Sequence, residues 1–106
     1  MYQIVVYVPK AHLESVKTAL FEAGAGKIGD YDSCAWQTLG QGQFRPLQGS
    51  APYLGQQGKV EQVAEYRVEL VCEKTVLKAA VEAMLAAHPY EEPAYSVWPL
   101  TDVNRL

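Results

Sequence analysis

All eight glycines of this 106-residue chain lie between residues 24 and 58. Glycine loses more backbone freedom on folding than any other residue, so it marks turns and close approaches rather than long helices. Pro46 and Pro52 fall in the same zone. The chain therefore divides into two regular ends around an irregular middle, and the fold must be assembled from those ends.

The first end, residues 1–23, reads as a strand followed by a helix. Gln3 to Val8 is a β-branched and aromatic run suited to a pleated surface, and Pro9 closes it because it has no N–H for a ladder. Leu13, Val16, Leu20 and Ala23 then recur at helical spacing, with Gly24 as a natural stop. The other end, residues 59–106, repeats the plan. Tyr66, Val68, Leu70 and Cys72 alternate with Arg67, Glu69 and Val71, which predicts a strand with one buried face. Leu77, Ala80, Val81, Met84 and Leu85 follow a helical pattern. Pro89 disfavours helical geometry at His88, so this helix finishes at about Ala87 or His88. Ala94 to Trp98 forms a last strand.

In the middle zone, Tyr31 to Thr38 reads as a strand, Gly40-Gln41-Gly42 as a turn and Gln43 to Pro46 as a short return strand. The remainder is a long ordered loop of the kind that is usually functional or interfacial. The order β-α-β(β)-β-α-β specifies an α+β, ferredoxin-like split β-α-β sandwich: an antiparallel sheet with two helices on one face. The chain is one domain, 1–106, with a Gly-rich hairpin and loop insertion at 24–58. Strand 1 is apolar on both faces, with Ile4, Val6 and Val8 on one and Val5 and Tyr7 on the other. Helices cover only one of these, so a homo-oligomer is expected.

Nine Lys and Arg against 12 Asp and Glu leave a net charge of −3, the wrong sign for a phosphate-backbone binder, so no nucleic acid partner is expected. Two cysteines make no disulfide scaffold, and no run approaches the ~20 apolar residues of a membrane span. The expectation is a cytoplasmic protein without membrane association.

Gly24-Ala25-Gly26-Lys27-Ile28-Gly29 matches a dinucleotide fingerprint, but it follows a helix instead of opening one, and a helix stop explains it better. His88-Pro89-Tyr90-Glu91-Glu92-Pro93 is the densest chemical cluster. A neutral His88 could ligate a divalent metal, copper or zinc, with Cys34, Glu91 or Glu92 as co-ligands. The plainer account is a helix cap whose imidazole and Tyr90 hydroxyl hold the loop. Asp30, Cys34, Arg45 and Tyr90 are the candidate contacts for a small ligand. Cys34 with His88 would make a thiol or hydrolase pair only if the fold joined them. His12 reads as a surface residue.

The segments Gly58-Lys59-Val60-Glu61, Glu65-Tyr66-Arg67-Val68, Glu73-Lys74-Thr75 and the His88–Pro93 run resemble the C-terminal half of CutA proteins, trimers related to the PII signalling proteins. Gly26 to Cys34 and Gly42 to Leu47 resemble the PII/CutA-like domain inserted in YqfO-type members of the Nif-three-like family. The resemblance covers nearly the whole chain, read here as a free-standing version of that module. It implies a trimer packed through its sheets, and copper binding associated with a histidine at the position of His88. The dinuclear site of the larger family belongs to a flanking domain and is not carried over. Three functions follow: a non-enzymatic metal- or ligand-binding trimer with a tolerance or regulatory role, an assembly module docking on a Nif-three-like metalloprotein, or a small Cys/His hydrolase.

Overall fold

A computed structural model describes residues 1–106. Strand β1 (Tyr2–Pro9) leads through a short 3-10 turn into helix α1 (Leu13–Glu22). Strands β2 (Trp36–Phe44) and β3 (Glu61–Cys72), helix α2 (Lys74–Ala87) and strand β4 (Tyr95–Pro99) follow. The four strands form one antiparallel sheet in the order β2-β3-β1-β4, with Val6 opposite Val68 and Ile4 opposite Val97. This is the ferredoxin-like arrangement expected from the element order. No helix is long and apolar enough to cross a membrane.

Both helices lie on one face. Leu13, Val16 and Leu20 of α1 and Ala80 and Met84 of α2 bury against Ile4, Val6 and Val8 of β1 and Val68, Leu70 and Cys72 of β3. Side chains alternate along a strand, so Val5 and Tyr7 point to the other face with Arg67, Glu69, Trp36 and Trp98. No element covers that face. Trp36 is 62% and Trp98 40% exposed.

The expected hairpin at Gly40 does not form. Residues 36–44 run as one strand paired with β3 from Trp36–Glu69 to Phe44–Glu61. Gly42 answers to that pairing, because a Cβ there would collide with the side chain of Glu65, on β3, whereas Gly40 faces open space. Glycine inside a strand marks such a close approach as readily as a turn. Residues 31–35 are a turn region instead of strand, with an Ile28–Tyr31 bridge and Ser33 at φ 55°. In consequence β3 begins at Glu61, five residues ahead of the alternating segment.

Gly26 holds this turn to the sheet. Its N–H donates to the Val71 carbonyl (2.8 Å), and its own carbonyl accepts from the Cys34 N–H (2.8 Å). At φ +77°, a Cβ there would meet the Phe21 ring and the Cys34 carbonyl within 3 Å. The glycines of the fingerprint-like segment are thus structural.

Candidate functional site

The long connection between β2 and β3 closes on itself. The Gly58 N–H donates to the Pro46 carbonyl (2.7 Å), and the Gln57 side-chain amide to the Ser50 carbonyl (3.0 Å). The Ala51 N–H donates to a Glu91 carboxylate oxygen (3.1 Å), tying this loop to the segment after α2. Between them lies a cleft of about 370 Å³, within the size range of small-molecule sites.

Its wall is aromatic. The Tyr53 ring sits 6.1 Å from Tyr90 and 5.6 Å edge-on from His12, and Phe44 lies 6.1 Å from Tyr90 on another side. His12 is therefore half-buried under the loop and not a surface residue. Its Nδ1 is shielded from water with no partner. The charged groups of the cleft are Glu65, Glu91 and Glu92 against Arg45.

Tyr90 is the hub, and His88 places it. The Tyr90 N–H donates to His88 Nδ1 (3.2 Å), which assigns the ring proton to Nε2, and Nε2 donates to the Tyr7 carbonyl (2.7 Å). Both ring nitrogens are thereby engaged, and the residue is only 6% exposed. Burial pushes its pKa below the ordinary 6.5, outweighing the Tyr7 bond and the Glu65 charge, which favour the protonated form. The Tyr90 hydroxyl is buried and finds no partner at hydrogen-bond geometry. Burial first, and then the Glu65 carboxylate beside it, push its pKa up to about 12. Glu65 itself enters neither of the two ion pairs in the protein, Lys17–Glu14 and Arg67–Glu69.

The candidate residues thus divide. Arg45, Tyr90, Glu91 and Glu92 share the cleft. Asp30 and Cys34 belong to the turn before β2, which Gly26 fixes level with Val71. His88 is level with Tyr7, whose partner is Arg67. Four strand residues separate the two levels, roughly 13 Å. Cys34 and His88 are accordingly not a catalytic pair. A divalent metal does not fit the set His88, Cys34, Glu91 and Glu92 either: no three His, Cys, Asp or Glu side chains gather to share an ion, and His88 has no free lone pair.

Comparisons with known proteins agree with the fold. The "GTP cyclohydrolase 1 type 2 homolog" of Mycobacterium leprae is 51% identical over 96 residues, which are 91% of this chain and 25% of that protein. The solved "Bacillus cereus protein related to NIF3" superposes with a TM-score of 0.82 at 40% identity, over 95% of this chain and 26% of that one. CutA1 from Pyrococcus horikoshii superposes with a TM-score of 0.69 at 23% identity, over 98% and 87% of the two chains, a likeness of fold. The chain has a CutA-like fold and is similar to a segment of Nif-three-like proteins. It spans about a quarter of the length of the curated relatives it matches. No family model matches it.

Two features of this module were missed from sequence. Glu65 looks like one more solvent-facing residue of an alternating strand, and only Gly42, on the neighbouring strand, hints that its side chain folds over the sheet. Tyr53 is half exposed yet also lines the cleft.

Proposed function

We propose that this chain is a non-enzymatic, self-associating module that receives a small ligand in the cleft between its β2–β3 loop and the His88–Pro93 segment. The observation that carries the self-association is surface area. The chain exposes 7036 Å², whereas a monomer of its mass exposes roughly 5,900 Å². Its radius of gyration is 15.1 Å, against about 13 Å for a compact chain of this length. The uncovered sheet face with Trp36 and Trp98 is where a second copy gains most, and the CutA resemblance favours a trimer. Native mass spectrometry tests this. A trimer that Trp36→Asp reduces to monomers, and that takes up no stoichiometric copper or zinc, is expected. A wild-type monomer at micromolar concentration would overturn the packing.

A second reading is supported by one observation: the module matches a quarter of a larger Nif-three-like chain. On that reading it docks on a separate metalloprotein of this family. Co-purification with such a protein, lost on substituting Trp36 or Tyr53, is the expected result. The cyclohydrolase named for the relatives belongs to proteins four times longer and is not assigned here.

A further inference from the structure

The cleft holds a carboxylate outside any ion pair, Glu65, and beside it a buried hydroxyl, that of Tyr90. Glu65 is half-buried, lies over Gly42, and enters no ion pair. The Tyr90 hydroxyl beside it is shielded from water without a partner. A half-buried carboxylate outside any ion pair gains from a positive partner, and a hydroxyl orphaned from water is costly. Folds retain such pairs where something else supplies the missing partner. What is missing is a donor with positive charge.

The surroundings specify it further. Tyr53, Tyr90 and Phe44 present aromatic surface, whose negative π-faces attract cations. Glu91 and Glu92 at the same cleft outnumber Arg45, so the field favours a positive guest. We infer that the cleft binds a small organic cation, a protonated amine or guanidinium carried on an apolar or aromatic body. Its charged end sits between the Glu65 carboxylate and the Tyr90 hydroxyl, and its body lies against Tyr53 and Phe44. This rests on the reading of the cleft as the ligand-receiving site, and it does not require self-association.

The test is an amide NMR titration of the whole chain with tyramine and, in parallel, with 3-(4-hydroxyphenyl)propionate, which has a similar body and the opposite charge. Tyramine is expected to shift Tyr53, Glu65 and Tyr90 saturably while the propionate does not. Glu65→Gln, close to isosteric, is expected to weaken tyramine by about ten-fold or more, because a charge-assisted contact is lost. Arg45→Gln, which removes the opposing charge, is expected to tighten tyramine a few-fold, so the proposal stays testable even if the Glu65 variant misfolds. A lysine tripeptide binding more tightly than tyramine would support the cation and assign its source to a protein side chain. Propionate binding as well as tyramine would overturn the cation while keeping the cleft as a ligand site. Neither compound binding at up to about 10 mM, weaker than any ordinary specific contact, would overturn the cleft as a ligand site as well.

Discussion

The Glu65 side chain lies across Gly42 on the neighbouring strand, so close that no Cβ fits beneath it. The colliding atoms are the carboxyl end of a flexible chain, which can swing away. Gly42 also lacks a positive φ, so alanine suits its backbone. Gly42→Ala should therefore fold normally, with stability within about 1 kcal/mol of the parent, since the reduced entropy of the unfolded chain offsets the displaced carboxylate. It should nevertheless weaken any ligand that depends on Glu65. Thermal melting beside the tyramine titration checks both halves. A large loss of stability would mean that Glu65 is locked in place.

His88 joins β1 to the cleft through two bonds, one to the Tyr7 carbonyl and one from the Tyr90 N–H. His88→Ala strands both buried backbone groups and should cost about 2–4 kcal/mol. Denaturant unfolding would measure it.

The same residue sets a pH dependence. Its folded pKa lies below the unfolded value of 6.5. Below pH 6.5 the unfolded chain therefore binds more protons than the native one, and stability rises with pH. The contribution is complete above 6.5 and is lost as pH falls through the lower folded value. The melting temperature should drop between pH 7 and 5, with a shallower slope in His88→Gln. Equal slopes in the two proteins would remove His88 as the cause.

Gly26 differs from Gly42 in having no escape. Its φ is positive, and a Cβ would strike the Cys34 carbonyl as well as the Phe21 ring. Backbone cannot swing aside as a carboxylate does. Gly26→Ala should lose roughly 2–4 kcal/mol, from left-handed strain and overpacking together. A melt within a degree or two of the parent would show that the turn relaxes.

These residues show what was legible in the sequence. The helices were read from Leu13, Val16 and Leu20 and from Leu77, Val81 and Met84, because helical burial repeats locally. The sheet order followed from the succession of elements. The β2 strand did not, because Gly42 answers to Glu65, more than twenty positions away, while turn rules see only neighbours. The His88 cap was visible in Pro89, but its second bond reaches 81 residues back to Tyr7. The cleft was half legible: Tyr90, Arg45 and the glutamates drew notice by type, yet their meeting with Tyr53 depends on a loop whose closure no periodicity records. The cap reading has the Tyr90 hydroxyl hold the His88–Pro93 loop, whereas the bond that forms there runs from the Tyr90 N–H to His88 Nδ1.

That last difference separates stability from binding at a single atom. The Tyr90 hydroxyl is buried with no partner, so it contributes desolvation cost and no hydrogen bond in the free protein. Removing it in Tyr90→Phe leaves the ring packing and the bond to His88 in place. The variant should be as stable as the parent or more so, by up to about 1 kcal/mol. At high pH the parent has a further handicap. Its unfolded tyrosine ionises near 10 and the native one only at about 12, so stability falls as pH rises through that interval. Tyr90→Phe should lack that decline, and absorbance titration should lose its latest tyrosine step. If the hydroxyl is kept for a ligand, the same substitution weakens tyramine. A variant that is less stable and binds tyramine unchanged would mean the hydroxyl has a partner within the protein.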